Sequence, residues 1–395
     1  MCGLVGIVDL SGRTVDRAVL RRMADTISHR GPDEEGDYVN GGVGLHHKRL
    51  SIIDLATGQQ PMTRRDVTVA FNGEIYNFVE LRSELRAKGH TFETTSDTEV
   101  LLEAYLQWGE ACVEHLNGMF GFVVHDARRK LIFAARDHFG IKPLYYWRGG
   151  DRVLFASEIK ALLAHEGVAA TVDPVGLSDY LTFQYVLGEE TLFQGIRKLQ
   201  PAHWVRLDLA TGEMRQQRFW DLRFEVDRSL DAPTAIERLR GLLDDAVRQQ
   251  MRSDVPVGAY LSGGLDSSTV TMLAARHTTE RLSTFTGAFR EGQQFDETRY
   301  ATTVAEAIGA HQHLVYPTAD EFADLIPKIV YHMDEPAAGP GLFPQYIVSR
   351  LASQHVKVCL GGQGGDEVFG GYARYSVAYL EQRSEEHTSE LQSPI

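Results

Sequence analysis

The chain begins with MCGLVGIVDL (residues 1–10), which places a cysteine directly before an apolar run. Residues 3–10 form an apolar run bounded by turn residues, which predicts a buried strand. Removal of Met1 is efficient before a small residue, and it would place a thiol and a free α-amino group together on Cys2. An α-amine with a pKa of about 8 can accept the thiol proton near neutral pH, so Cys2 is a candidate nucleophile.

Polar segments that follow this strand supply groups that could bind an amino acid. HRGPDEEG (29–36) is predicted to be a loop, and HHKRLSIID (46–54) is predicted to place Arg49 at the entry to an apolar strand. FNGEIYN (71–77) is predicted to end a strand, and SDTE (96–99) to precede a helix.

Five side chains or peptide groups in these segments suggest roles. Arg49 can clamp an α-carboxylate with two parallel hydrogen bonds. The side-chain amide of Asn72 and the N–H of Gly73 can form an oxyanion hole. Glu74 and Asp97 can bind an α-ammonium group. Each residue also has a structural alternative as a surface ion pair, a turn residue or a helix cap.

The pattern changes after about residue 230, where strands begin to alternate with helices. This alternation predicts a parallel, doubly wound sheet, and the domain boundary is expected at about 205–235. Pro233 opens a helix with an apolar stripe at Ile236, Leu239, Leu242, Leu243, Ala246 and Val247. Strands are predicted at 255–261, 282–288, 311–316 and 356–360, and further helices at 268–277, 298–308 and 344–354.

Two glycine-rich loops follow strands of this second domain. VGAYLSGGLDSSTV (257–270) has the order strand, glycine turn, helix, in which backbone N–H groups and serine hydroxyls can hold phosphate. The Walker pattern is excluded because no lysine follows the glycines. LGGQGGDEVFGGY (360–372) is a second such loop after an apolar strand.

Composition excludes several classes of function. The 395 residues carry a net charge of −14 with no Lys/Arg block, so neither a nucleic-acid nor a membrane partner is expected. Three widely spaced cysteines make no disulfide framework, and no signal peptide or membrane span is found, so a cytoplasmic protein is expected. A metal hydrolase is a weak alternative that would use His46, His47, His311 and His313.

Seven motifs in order resemble the class II glutamine amidotransferase domain, in particular that of the glutamine-hydrolysing asparagine synthetase family. The motifs are MCGLVGIVD, HRGPD, RLSIID, NGEIYN, SDTE, LNGMFGF and ARDHFGIKPLYY. The resemblance implies an N-terminal-nucleophile αββα fold in which Cys2 attacks the side-chain amide of glutamine and ammonia is released. It implies that glutamine is bound by Arg49, Ile52, Asn72, Gly73, Glu74 and Asp97, with Asn72 and Gly73 also serving catalysis.

The SGGLDSS segment resembles the pyrophosphate loop of ATP pyrophosphatases, and the second loop resembles the second nucleotide loop of the same family. These resemblances imply ATP and Mg²⁺ as cofactors, with Asp266 and Asp366 as metal ligands. The positions implied to bind ATP are Leu261, Ser262, Gly263, Gly264, Asp266, Ser267, Ser268, Gly287, Gly361 and Gly362.

One residue departs from the family pattern. At the position of Gln363 the asparagine synthetases carry a glutamate that is required for adenylating aspartate. The expected function is therefore a glutamine-dependent ligase with aspartate as the first choice of acceptor. The alternatives are the same chemistry on another carboxylate, such as a sugar acid or peptide, or a glutaminase only.

The expected fold is α/β, with an amidotransferase domain at 2–215 and an incomplete ATP-pyrophosphatase domain at 233–383. The region at 332–346 (HMDEPAAGPGLFPQY) is the acceptor-facing part of the family by position. Residues 384–395 continue no pattern and are expected to be a non-native tail, so that the family's later helices are lacking. A homodimer is compatible with the resemblance.

Overall fold

The structure is a computed structural model that describes residues 1–289, 296–336, 339 and 341–391, with the backbone alone for 385–391. Residues 337, 338 and 340 of the acceptor-facing segment and 392–395 of the expected tail lie outside the described residues. The chain forms two compact units. The first comprises 1–235, 252–254 and 324–342, and the second comprises 236–251, 255–323 and 343–395.

The first unit contains two antiparallel sheets. Sheet one has the strand order β10-β8-β9-β1-β3-β2 and sheet two the order β12-β11-β7-β6-β5-β4. The strands are β1 (Gly3–Asp9), β2 (Glu34–Asn40), β3 (Val43–Arg49), β4 (Met62–Arg64), β5 (Val67–Ile75), β6 (Gly118–Asp126), β7 (Leu131–Arg136), β8 (Tyr145–Gly149), β9 (Arg152–Ala156), β10 (Ile196–Lys198), β11 (His203–Asp208) and β12 (Met214–Arg218).

Helices cover the outer faces of both sheets, which gives the predicted αββα layers. In β1, Leu4 and Val8 face the core between the sheets, whereas Val5 and Ile7 face the helices, as the two-residue period of a strand requires. The helices α2 (Phe78–Ala87) and α3 (Asp97–Trp108) pack on sheet two, and α1 (Arg17–Asp25) and α4 (Ile159–Leu163) pack on sheet one. Helix α5 spans Pro174–Phe183.

The second unit contains a parallel sheet of strand order β15-β14-β13-β16, which confirms the predicted doubly wound arrangement. The order reverses between β13 and β16, and the carboxyl ends beside such a switch point are where α/β sheets bind ligands. The strands are β13 (Val257–Tyr260), β14 (Ser283–Gly287), β15 (His311–Val315) and β16 (Val358–Leu360). The helices from α6 onward are α6 (Ala232–Gln250), α7 (Leu265–Ala274), α8 (Thr298–Ala307), α9 (Ala319–Met333), α10 (Leu342–Ala352), α11 (Gly365–Phe369) and α12 (Ala373–Leu391).

Two expectations about the polar segments of the first unit are wrong. Arg49 is the last residue of β3 rather than the entry to a strand, and residues 50–54 contain no strand. The HRGPDEEG segment is a loop only at residues 31–33, because His29 and Arg30 end a 3-10 helix (Ser28–Arg30) and β2 begins at Glu34. Glu34 pairs with Arg49 across the two strands. Opposite charges on facing positions stabilise strands whose composition alone suggests a loop.

The start of α2 also differs in detail from its prediction. The helix begins after Asn77 as expected, but the Asn77 side chain makes no capping hydrogen bond. Its amide nitrogen donates to the carbonyl of His115 and its oxygen accepts from the N–H of Asn117. Asn77 therefore ties the helix to the loop before β6.

The apolar stripe of α6 is largely uncovered in the described structure. Ile236 is 51% exposed and Leu242 is 70% exposed, while Val247 is buried. Among the described residues, no helix is long and apolar enough to cross a membrane.

Candidate active site

Cys2 lies directly before β1, beside the loop that follows β3. Its sulfur accepts a hydrogen bond from the N–H of Leu50 at 3.4 Å and lies 3.6 Å from the Leu50 carbonyl oxygen. The guanidinium of Arg30 donates to the main-chain carbonyl of Cys2 at 2.8 Å. Burial raises the pKa of the Cys2 thiol, and the Leu50 N–H opposes this rise. The thiol therefore needs a base to become a nucleophile.

Arg49 is buried at the end of β3, which rules out the surface ion pair considered for it. Its Nη1 donates to Glu34 Oε2 at 2.8 Å, and its Nη2 donates to the carbonyl oxygens of Ile53, at 3.2 Å, and Asp54. A Cβ at Gly58 would come within 2.4 Å of Nη2. The guanidinium is thus held in one orientation, and its positive charge reaches the Cys2 thiol.

Asn72 is fully buried on β5, a strand that contacts β1 and β3. Neither its amide nitrogen nor its oxygen has a hydrogen-bond partner within the described ranges. A buried polar group without a partner costs about 1–3 kcal/mol, so its presence requires an explanation. Next to it, Gly73 faces Phe120 of β6, and a Cβ there would lie 2.0 Å from the Met119 carbonyl oxygen.

Glu74 and Asp97 are two buried carboxyl groups that influence each other. Asp97 is the first residue of α3, and its Oδ2 accepts from the N–H of Ile75 at 3.1 Å. Burial raises the pKa of Asp97 to about 6. Burial, together with the negative charge of Asp97, raises the pKa of Glu74 to about 7. Two buried carboxylates favour a bound cation.

Ile52 lies half-buried in the loop after β3, which the segment 252–254 of the same unit supports. The Ile52 carbonyl accepts from the N–H of Asp254 at 3.0 Å, and the N–H of Asp54 donates to Asp254 Oδ2 at 2.7 Å. Arg252 of this segment pairs with Glu80 of α2. The loop that contacts Cys2 is thereby anchored on both sides.

The first glycine loop of the second unit joins β13 to α7. The hydroxyls of Ser262 and Ser267 are 2.9 Å apart, and the Ser262 hydroxyl accepts from the N–H of Gly264 at 3.2 Å. Gly263 has a φ of +91°, and a Cβ there would lie 2.9 Å from the Ala301 nitrogen. Only glycine suits this position. Ser268 lies in the first turn of α7 and its N–H donates to the Gly264 carbonyl.

The second glycine loop packs against the first, as the parallel sheet order requires. A Cβ at Gly362 would lie 2.6 Å from the Ser267 nitrogen, and one at Gly365 would lie 2.3 Å from Asp266 Oδ2. The side-chain oxygen of Gln363 lies over Gly361, 2.1 Å from where a Cβ would stand. The loops that contain the predicted ATP residues are therefore adjacent at the switch point.

Leu261 and Gly287 lie at the carboxyl ends of β13 and β14. The Leu261 side chain is buried in the core, its N–H donates to Phe285 and its carbonyl accepts from the Thr286 hydroxyl. Any contact of Leu261 with a nucleotide would involve its backbone. A Cβ at Gly287 would lie 2.9 Å from Val348.

Asp266 and Asp366 are the carboxylates of the two loops. Asp366 follows Gly365, which abuts Asp266. Among the described residues, no group of three or more His, Cys, Asp or Glu side chains could hold a metal ion. Mg²⁺ beside nucleotides usually takes one or two carboxylates from the protein and its other ligands from phosphates and water, so the residue types of these two loops suit it.

Family models match both units of the chain. The glutamine amidotransferase domain matches residues 1–220, and the asparagine synthase model matches residues 238–393. A Methanocaldococcus jannaschii protein, "Putative asparagine synthetase (glutamine-hydrolyzing) 2", is 37% identical over 96% of this chain and 77% of its own length. The chain belongs to the glutamine-hydrolysing asparagine synthetase family.

Two further relatives extend the comparison. The Bacillus subtilis protein "Asparagine synthetase (glutamine-hydrolyzing) 1" is 40% identical over 95% of this chain, which spans 59% of that relative. The Penicillium rubens protein "Amidase chyE" is 33% identical over 92% of this chain and 56% of its own length. The chain thus spans between about half and three quarters of these relatives.

Two further residues of this asparagine synthetase family member lie near the nucleophile, and the sequence motifs assigned no role to either. Lys142 is buried, and burial lowers its pKa to about 8, while the nearby charge of Glu74 opposes the shift. Its Nζ donates to the Met1 sulfur at 3.0 Å. Arg30 is buried, and its Nη2 has no hydrogen-bond partner in the part of the chain described. Both residues stand in the quoted motifs, but a motif does not show which of its members are buried together.

Proposed function

We propose that this chain hydrolyses glutamine at Cys2, as the first step of a glutamine-dependent amide ligase. Removal of Met1 would leave the α-amine of Cys2 to take the thiol proton. The thiolate attacks the side-chain amide carbon of glutamine. The amide nitrogen takes the proton from the α-ammonium of Cys2 and leaves as ammonia, which produces a γ-glutamyl thioester. Water then hydrolyses the thioester and releases glutamate. A reducing compartment such as the cytoplasm suits this free thiol, and all three cysteines are free.

The observation that carries this proposal is the partnerless amide of Asn72. Its nitrogen is a buried donor on β5 without an acceptor in the described structure. A buried donor with no other partner can stabilise an oxyanion without first breaking another hydrogen bond. Arg49 would then bind the α-carboxylate of glutamine, Glu74 and Asp97 would bind the α-ammonium, and Ile52 would line the site.

The second part of the proposal assigns ATP to the two glycine loops. This family uses ATP, and the adjacent loops at the switch point of the parallel sheet offer N–H groups and the Ser262, Ser267 and Ser268 hydroxyls to phosphates. Asp266 and Asp366 would hold Mg²⁺, which neutralises phosphate charge. Attack of a carboxylate on the α-phosphate would release pyrophosphate, and ammonia would then displace AMP to form the amide.

Aspartate is the acceptor that the family name favours, and Gln363 is the reason to test others. Gln363 is a neutral amide and can neither accept a proton nor supply a negative charge. Its side chain lies over Gly361, in the second of the two glycine loops. The same chemistry on a different carboxylate is therefore the second candidate.

Two measurements test the glutaminase half. Intact-mass analysis should show that Met1 is absent, because a retained Met1 leaves Cys2 without a free amine. Cys2→Ala should abolish glutamate release from glutamine, while ammonium salts still support any amide formation. Glutaminase activity that survives in Cys2→Ala would contradict the assignment of the nucleophile.

ATP–pyrophosphate exchange against a panel of carboxylic acids tests the acceptor. Exchange with aspartate would establish asparagine synthesis despite Gln363, and exchange with only another acid would favour the second candidate. If no acid supports exchange while glutamine is still hydrolysed by way of Cys2, the chain is a glutaminase only.

A further inference from the structure

A continuous set of buried contacts joins Cys2 to the segment after α9, and it consists of one hydrogen bond to the Cys2 main chain and a series of ion pairs. Arg30 donates to the Cys2 carbonyl at 2.8 Å and to Glu158 Oε1 at 2.8 Å. Glu158 also pairs with Lys160 through its other oxygen. Lys160 in turn pairs with Asp334 at 2.8 Å. The four charged side chains are 5 to 8% exposed.

Asp334 is held in place more firmly than an ordinary ion-pair partner. Its carboxylate accepts from the N–H of Ile159 at 2.6 Å and of Lys160 at 3.2 Å, the first two residues of α4. Its φ of +65° is uncommon for a residue with a side chain, so the surrounding contacts must fix it. The next residue, Glu335, accepts from the N–H of Leu192.

A second path runs parallel to the first. His29 contacts Glu158 Oε1 at 2.9 Å, and its ring meets the ring of His332 edge-on at a centroid distance of 4.5 Å. Burial by itself would raise the pKa of Glu158, but the contacts of His29, Arg30 and Lys160 lower it to about 2. Glu158 therefore remains charged and joins both paths.

We propose that Glu158 and Lys160 are positioning residues that couple the segment 332–335 to the nucleophile, so that the placement of Asp334 sets the orientation of the Cys2 main chain. The inference deepens the proposed glutaminase function and rests on it. The segment begins the region that the family resemblance assigns to the acceptor. Its displacement would remove the Asp334 contact from Lys160, allow Glu158 to shift and withdraw Arg30 from the Cys2 carbonyl.

The coupling acts on the nucleophile and not on the groups that would bind glutamine. We therefore expect Asp334→Asn and Lys160→Met to lower kcat for glutaminase on the order of tenfold, with KM changed less than about twofold. Lys160→Arg keeps the charge and should recover most of kcat. Asp334→Asn keeps one acceptor oxygen for the N–H of Ile159, so it removes the charge pairing with Lys160 and one of the two hydrogen bonds to α4.

The matched control is Glu103→Gln. Glu103 is an equally buried carboxylate in the same unit, paired with Arg64 and His90 on the α3 side of the sandwich. It should lose stability as the other variants do but keep kcat. The inference is overturned if kcat is unchanged in Asp334→Asn and Lys160→Met, or if Glu103→Gln lowers kcat equally, because the effect would then follow stability alone.

Alkylation of Cys2 by iodoacetamide, followed by mass spectrometry, separates this inference from the proposed function. If the chain lacks Cys2-dependent glutaminase activity, the proposed function fails, yet the alkylation rate still reports on the Cys2 environment. Coupling predicts that Asp334→Asn changes this rate severalfold and that Glu103→Gln does not. Equal rates in wild type and Asp334→Asn would overturn the coupling.

Discussion

In the proposed glutamine site the polar groups are buried side chains, whereas in the proposed nucleotide loops they are backbone and hydroxyl groups on turns that bond to one another. Asn72 is buried without a hydrogen-bond partner among the residues that the structure describes, and Glu74 and Asp97 are acids whose pKa values burial raises. In the loops, the Ser262 and Ser267 hydroxyls already contact each other. In the first site, unpaired buried groups cost free energy, and a ligand that bonds to them would relieve that cost. In the second, the polar groups are already hydrogen-bonded to one another, and a ligand would have to replace those bonds.

The largest effect expected from this difference is in Asn72→Ala. Loss of an oxyanion donor should lower glutaminase kcat by about 10²–10³-fold. Removal of the amide relieves the cost of burying it unpaired but leaves a cavity, and because the two effects oppose each other the free energy of unfolding should change by less than about 1 kcal/mol. Steady-state kinetics and urea unfolding measure the two effects.

Asn77→Ala is the matched control for Asn72→Ala. The Asn77 amide makes two hydrogen bonds to the backbone at His115 and Asn117. Its loss should cost about 1–2 kcal/mol of stability and leave glutaminase kcat unchanged. A stable, fully active Asn72→Ala variant would remove Asn72 from the proposed mechanism.

The next effect concerns the contact between the nucleotide loops. In Gly362→Ala the new Cβ meets the Ser267 nitrogen at 2.6 Å, and backbone cannot move aside as a flexible side chain can. ATP affinity should fall by about tenfold or more, a loss of at least about 1.4 kcal/mol, which isothermal titration calorimetry can measure. Gly241→Ala, where no atom lies within 4 Å, should instead stabilise α6 by about 0.5–1 kcal/mol without affecting ATP.

The pH dependence of glutamine binding tests the buried acids. An acid with a raised pKa is neutral over a wider range: Glu74, near 7, is mostly protonated at pH 6, and Asp97, near 6, becomes so below that. Binding an α-ammonium requires the charged forms, so KM for glutamine should rise up to about tenfold per pH unit as the pH falls below 7. Glu74→Gln should remove the change near pH 7, and a KM that is flat from pH 8 to 6 would contradict this assignment.

The smallest effect is expected on the exposed stripe of α6. Leu242 is 70% exposed, so Leu242→Gln should change the free energy of unfolding by less than about 0.5 kcal/mol. Val247 is 6% exposed, and Val247→Ala should cost about 2 kcal/mol. A large loss in Leu242→Gln would show that another surface covers this stripe in solution.

Much of the fold could be predicted because the apolar patterns were strong. The alternation of strands and helices after residue 230 predicted the parallel sheet of the second unit, and the resemblance of seven motifs implied the αββα layers of the first. The failures came where charge pairing, rather than apolar period, holds a strand. Glu34 and Arg49 stabilise β2 and β3 by facing each other, and no local pattern shows which strand lies opposite.

The residues of the candidate site could be predicted from the sequence, but their burial and their hydrogen-bond partners could not. Motifs marked Cys2, Arg49, Asn72, Glu74 and Asp97. They did not show that the Asn72 amide is an orphan or that the two acids are buried together. Lys142 and Arg30 were present in the quoted motifs without a role, because only packing brings their charges next to the nucleophile.

The sequence by itself determined which chemical groups are available: a thiol next to the initiator methionine, two glycine loops after strands, and a neutral amide at Gln363. Tertiary structure decided what these groups experience. Residues far apart in the chain, such as Arg30, Glu158 and Asp334, become neighbours only on folding. Burial and charge pairing depend on those neighbours, so pKa values, orphaned donors and the link from Asp334 to Cys2 follow from the fold alone.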